Sequence, residues 1–252
     1  MVKLKEITSY LSELLAVDKI KDYCPNGLQI ECCQEIQKVV VGVSANMDLI
    51  KAAIDRNADT IITHHGYFWK GENPTITGIK GNRVSALIKN NINLLAYHLP
   101  LDVHGKLGNN ALFAKEIGLD IEGGFVDIGA FNLAVYGSLQ SPLHADEFQE
   151  LLGGILGRTP AVVGECYKPI TKVGICTGAA QDYIEQAAEL GLDAFISGEI
   201  SERTPHMAKE LGITYFAAGH HATERFGIKA LGEHLAQEFG LDVEFIEIEN
   251  NA

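Results

Sequence analysis

Residues Lys38–His65 read K-V-V-V-G-V-S-A-N-M-D-L-I-K-A-A-I-D-R-N-A-D-T-I-I-T-H-H, and Thr171–Glu199 read T-K-V-G-I-C-T-G-A-A-Q-D-Y-I-E-Q-A-A-E-L-G-L-D-A-F-I-S-G-E. Each stretch is an apolar run of strand length, a turn, a helix, and a second apolar run entered through Ala-Asp or Leu-Asp. A third strand follows in each half, ending in Ala96-Tyr97-His98-Leu99-Pro100-Leu101-Asp102 and in Ala218-Gly219-His220-His221-Ala222-Thr223-Glu224. Each of these ends carries a histidine with an acid four residues on. Alternating strands and helices of this kind predict an α/β fold, a duplicated unit built on parallel or mixed sheets with helices on both faces. Open sheets gather ligands at the carboxyl ends of their strands, so equivalent ends of two repeats can deliver matching donors to one point.

The chain divides on this reading into a first α/β repeat (1–122), a small inserted sub-domain or rim (123–169), and a second α/β repeat with a C-terminal helix and strand (170–252). The first begins with an amphipathic helix near Leu4–Leu15 that places Ile7, Leu11, Leu14 and Leu15 on one face. A long crossover, Gly66–Asn91, carries Tyr67, Phe68 and Trp69 and reads as a pocket wall. In the middle segment Phe131–Leu139 alternates like a strand and Ala145–Leu156 reads as a helix ending at Gly157.

Composition excludes several classes. The chain has 252 residues, 46% of them hydrophobic, enough for a sizeable core. Its apolar runs are strand-sized, so no membrane span is expected, and the start lacks the apolar core of a signal peptide, which predicts a cytoplasmic protein. Five cysteines without a C-x-x-C pair argue against a disulfide framework or a thiolate zinc site and read as packing residues. A net charge of −13 makes nucleic acid an unfavourable partner. An anionic substrate would need local positive charge, which bound divalent ions would supply.

Thr63-His64-His65-Gly66 places two histidines at a strand end, where consecutive side chains face opposite ways. They suit two neighbouring ions, one each, or a satisfied core or capping pair. Asp102, set by the turn at Pro100, is a candidate ligand or an Asx-type cap. His220 and Glu224, at i and i+4, share a helix face, where Glu224 can ligate or answer the helix dipole. His221 reads as a surface residue or one behind the ligands, Glu199 as an acid or base beside them, and His104, His144, His206 and His234 as solvent-facing. Tyr67, Phe68 and Trp69 are stacking or packing residues. Three imidazoles and two carboxylates (His64, His65, Asp102, His220, Glu224) suit two divalent ions of the Zn, Fe, Mn or Ni kind better than Mg or Ca. Two such ions about 3.5–4 Å apart can activate water and offset developing charge, with His98 beside them as proton donor or orienter.

At these positions the chain resembles the NIF-three-like family of YbgI type, whose members carry the name GTP cyclohydrolase 1 type 2 homologue. The likeness covers nearly the whole length. It rests on Asn26-Gly27-Leu28-Gln29-Ile30-Glu31, Thr63-His64-His65-Gly66-Tyr67-Phe68-Trp69, His98-Leu99-Pro100-Leu101-Asp102, Leu107-Gly108-Asn109-Asn110, Ser197-Gly198-Glu199 and Gly219-His220-His221-Ala222-Thr223-Glu224, in that order. The resemblance implies interlocked α/β repeats in the short form of the family. It also implies a binuclear metal site of His64, His65, Asp102, His220 and Glu224, with Glu224 bridging, in a ring-shaped homohexamer. Two functions follow as expectations. One is a metal-dependent hydrolase of a small anionic substrate, with purine ring opening in a nucleotide as a candidate reaction. The other is a non-catalytic metal store, chaperone or regulatory scaffold.

Overall fold

A computed structural model describes residues 1–252 and resolves them into two compact units: Met1–Leu101 with Gly227–Glu249, and Asp102–Phe226 with Asn250–Ala252.

The first unit holds a five-stranded sheet in the order Asp242–Phe245, Lys38–Ser44, Thr60–His65, Asn93–Ala96, Gly27–Ile30. The first four run parallel and the last is antiparallel. The helix Met47–Asp55 follows the first long strand, its N-terminus capped by Asn46, whose Oδ1 accepts from Leu49 N at 2.9 Å. Leu49, Ile50 and Ala53 of that helix pack with Val40, Ile61 and Leu94 of the sheet in one buried cluster. The crossover after His65 contains a further helix, Gly78–Lys89, whose Leu87 joins the same core. The amphipathic start is a helix over Leu4–Leu14 with Leu4, Ile7 and Leu11 buried.

The second unit holds a six-stranded sheet in the order Leu119–Asp127, Asn132–Leu143, Ile170–Cys176, Ala194–Ser197, Thr214–Ala217, Ala161–Gly164. Its central three strands are parallel and the flanking ones antiparallel. Successive residues of a strand enter different cores. Ile196 and Phe216 pack with Phe148 on one side, while Phe195 and Tyr215 pack with Ile184 on the other. Both sheet faces are therefore covered, which is why these strands read as unbroken apolar runs.

The duplication is written in the hydrogen bonds. Asp59 Oδ2 accepts from the backbone N of Gln37 and Lys38 at 2.7 and 2.8 Å. Asp193 Oδ2 accepts from Thr171 and Lys172 at 2.9 and 2.8 Å. In both repeats the acid that opens the second strand ties down the start of the first, and the pairings Val39↔Thr60 and Val173↔Ala194 have the same spacing.

The unit boundaries differ from the division at 122 and 169. The strands Asn132–Leu143 and Ala161–Gly164 of the middle segment are not a rim. They pair with Ile170–Cys176 and Thr214–Ala217, because a three-stranded parallel core leaves two edges whose backbone groups need partners. The final strand, assigned by sequence to the second repeat, lies instead beside Lys38–Ser44 in the first unit, preceded in the chain by the helix Arg225–Phe239. Pro100 also departs from expectation: Leu99–Asp102 is a helical turn, which tolerates proline because an N–H in the first turn has no partner to lose. No helix is long and apolar enough to cross a membrane.

Replacing Asp193 or Asp59 by Ala should lower the unfolding free energy by about 1–2 kcal/mol, since each removes two charge-assisted bonds to backbone N–H groups. Urea denaturation measures this, and an unchanged midpoint would show that the clamp contributes nothing.

Candidate metal centre

In the first unit the strand Thr60–His65 ends in His64 and His65, and the chain leaving Asn93–Ala96 carries His98. The donor atoms of these three histidines lie within 4.8 Å of one another, and their ring centroids are 4.6, 5.1 and 5.7 Å apart. Each Nδ1 has a partner in the chain. That of His64 is 2.9 Å from the Tyr97 carbonyl, that of His65 is 3.1 Å from Ser44 Oγ, and that of His98 is 2.8 Å from Asp22 Oδ1. A carbonyl and a carboxylate only accept, so Nδ1 is the donor in the contacts of His64 and His98. Metal-ligating histidines are held in this way by the ring nitrogen that does not bind the ion. The indole of Trp69 stands edge-on to His98 with centroids 4.9 Å apart. Tyr67, by contrast, is a packing residue: it is buried and donates its hydroxyl to Ala45 O at 2.7 Å.

In the second unit His220 lies between two carboxylates. Its Nδ1 is 2.7 Å from Glu199 Oε1 and its Nε2 is 3.1 Å from Glu224 Oε2. Glu224 and Asp102 are both buried polar residues. Asp102 Oδ1 accepts from Asn109 Nδ2 at 2.8 Å, and Asn110 Oδ1 accepts from Thr177 N at 2.9 Å. A Cβ at Gly178 would overlap Glu224 Oε1, and the backbone there has φ of +72°, so glycine alone leaves the carboxylate its place. Burial, with the charges of Asp102 and Glu224, pushes the thiol of Cys176 far up and keeps it protonated.

The structure brings together His64, His65 and His98 in one unit and His220, Glu224 and Glu199 in the other, with Asp102 in the Asn109 network. The repeat equivalence of the third strands is shifted by one residue from the sequence reading. Tyr97 N and Ala218 N bond the carbonyls of Thr63 and Ser197, so the counterpart of His98 is Gly219, not His220. The left-handed φ of +100° at Gly219 turns the chain so that His220 begins a helix. His221 is buried, not at the surface. His234 is bonded to Tyr10 Oη at 2.6 Å, and His104 Nδ1 accepts from Leu107 N at 2.9 Å, so neither is simply solvent-facing. Of the cysteines, all free, Cys166 is exposed and does not pack.

Asp22 and Asn109 were missed by sequence reading. The Asp22-x-x-x-Asn26 spacing is a turn signal, and nothing local marks its partner 76 positions away. At Asn109, Gly108 holds the helix-cap position and the amide is spent on Asp102.

Burial alone would lower the pKa of His220, but hydrogen bonds and charge from Glu224 and Glu199 outweigh it and hold the ring up to about 9. In the metal-free protein the ring is therefore held as an imidazolium between the two carboxylates. Every anchored imidazole and buried carboxylate described here fits a divalent transition ion, which needs unprotonated nitrogen and carboxylate oxygen.

These features define an α/β protein with clusters of His, Asp and Glu side chains able to hold a metal ion. A model of the Duf34/NIF3 family (NGG1p interacting factor 3) matches residues 2–252, and the chain belongs to that family. It is similar to the GTP cyclohydrolase 1 type 2 homolog of Vibrio cholerae, with 52% identity over 247 residues, 97% of this chain and 98% of that one. Among solved structures, protein ybgI, of unknown function, matches with a TM-score of 0.95 and 45% identity over 100% of both chains. TTHA1606 from Thermus thermophilus matches with a TM-score of 0.88 and 31% identity, again over 100% of both.

His220 titrates near 6.5 when unfolded and near 9 when folded, so its stabilisation of the metal-free protein is complete below pH 6.5 and is lost as pH rises through 9. Between those values the metal-free wild type should lose more stability than Glu199→Gln, in which one of the two carboxylates is neutral. Urea titrations at both ends of the window measure the difference, and equal losses would contradict it.

Proposed function

We propose that this chain is a binuclear metal-dependent hydrolase of a small anionic substrate, with His64, His65, Asp102, His220 and Glu224 holding two divalent ions of the Zn, Fe, Mn or Ni kind and Glu224 bridging. The observation that carries this reading is the anchoring of Nδ1 on His64, His65 and His220, which presets each ring for ligation through Nε2. The burial of both carboxylates adds to it, because buried acids without cations are costly. When bound, the ions supply an activated water and Lewis acidity toward the attacked group.

The chain's own contribution is positional and protonic. His98 has Nδ1 tied to Asp22, so its Nε2 is the atom that exchanges a proton with the reacting group. Glu199 and Ser44 fix the planes of His220 and His65. Asn109 orients Asp102. The name borne by the relatives makes hydrolytic opening of a purine ring in a nucleotide the first reaction to test. A cytoplasmic location belongs to this reading, supported by five free thiols, as does the ring-shaped homohexamer that family membership implies. Native mass spectrometry showing any assembly other than six copies would remove the hexamer.

Protein purified without added metal should contain two equivalents of transition metal by elemental analysis, and His64→Ala and Glu224→Ala should each lose metal. Turnover of purine nucleotides and phosphoesters should fall at least about 100-fold in either variant if catalysis depends on the ions. Full metal loading with no variant-sensitive turnover would instead favour the store, chaperone or scaffold. Glu199→Ala should weaken metal affinity by roughly 10–100-fold, measured by chelator competition.

A further inference from the structure

The segment Asp22–Asn26 lies outside every strand and helix of the repeats, yet it makes the densest set of polar contacts to His98. Asp22 has a side chain only 2% exposed. Its Oδ1 faces His98 Nδ1 at 2.8 Å, and its Oδ2 accepts from Leu99 N at 2.9 Å and from Asn26 Nδ2 at 2.8 Å. Asn26 completes the clamp by accepting from His98 N through Oδ1 at 2.7 Å. The same loop also ties down the crossover, since Tyr23 O accepts from Lys70 N at 2.6 Å, next to the Trp69 indole that abuts His98.

We propose that Asp22 is the positioning residue of His98, imposing the Nδ1–H tautomer so that Nε2 meets the His64–His65 cluster as an unprotonated nitrogen. The carboxylate does this because both oxygens are committed to donors. Oδ2 takes two N–H groups and Oδ1 takes the backbone N of Tyr23 at 2.5 Å, so the side chain offers His98 Nδ1 only an acceptor. His98 is thereby prevented from adopting the Nε2–H tautomer, in which Nε2 has no lone pair with which to take a proton from a reacting group. A buried carboxylate behind a proton-transferring histidine has this effect in hydrolytic triads, where the isosteric amide leaves the geometry intact and installs the wrong tautomer. The inference rests on the proposed role of His98 but concerns a state of the ring that exists without substrate.

Asp22→Asn tests it with little change of shape. An amide there has two orientations. With its oxygen toward His98, its NH2 opposes two donors, Leu99 N and Asn26 Nδ2. With its oxygen toward those two, its NH2 opposes one donor, Tyr23 N, and faces His98 Nδ1, which can accept only as the Nε2–H tautomer. The second orientation leaves fewer unpaired groups and inverts the ring.

The measurement is the pair of long-range 15N–1H correlations of His98, assigned by its loss in His98→Gln and recorded on metal-free protein at a pH where the ring is neutral. Wild type should show a protonated Nδ1 and a bare Nε2, and Asp22→Asn the reverse. Asp22→Glu, which keeps a carboxylate, should restore the wild-type pattern at least in part. A role confined to tying the loop down would leave the tautomer untouched while lowering the melting temperature. An Nε2–H signal in the wild type would overturn the proposal even if no variant folded, and so would an unchanged tautomer in a folded Asp22→Asn. Should the tautomers invert as described while His98→Gln retains full turnover, the assignment of Asp22 would stand and only the role given to His98 would fall.

Discussion

An imidazole has two nitrogens, and it becomes a directed donor only when one of them is fixed. That constraint orders the polar architecture of both units. His64 leans on a backbone carbonyl, His65 on a serine, His98 on a buried aspartate and His220 on a glutamate. Each anchor sets a ring plane, and on His220 the other nitrogen faces Glu224. Without these contacts the same histidines would sample rotamers and tautomers, and the preorganisation that ligation needs would be lost.

The anchors could not work on a soft scaffold. They sit at the carboxyl ends of parallel strands whose two faces are buried under apolar side chains, so the backbone that carries them has little freedom. Asp59 and Asp193 pin the opposite ends of the same strands through paired backbone bonds. Rigid beginnings and functional endings are thus separated along each strand, an arrangement common to open α/β sheets.

The two repeats differ at the ends of their strands. By register His65 corresponds to Glu199, and His98 to Gly219. An imidazole on one side answers a carboxylate on the other. A glycine able to turn left-handed replaces a histidine and starts the helix that carries His220 and Glu224 on one face. Two copies of one fold therefore present different donors, acid-rich in the second and imidazole-rich in the first. The proton that His220 holds in the metal-free state reflects that acid-rich setting.

The sequence by itself determined the repeated strand–helix–strand unit, the amphipathic first helix, the helix ending at Gly157 and the histidines and acids at strand ends. Each of these depends on residues close together in the chain, through periodicity, capping and turn chemistry. It also put His220 and Glu224 on one face, since i and i+4 are neighbours on any helix. Tertiary structure alone decided which unit the last strand joins, how the middle segment closes the six-stranded sheet, the one-residue offset between His98 and His220, and the partnerships of Asp22 with His98 and Asn109 with Asp102. Those outcomes turn on which edge has unpaired N–H and carbonyl groups and on which buried donors lack acceptors, and such balances are struck between residues far apart in sequence, where no local pattern records them.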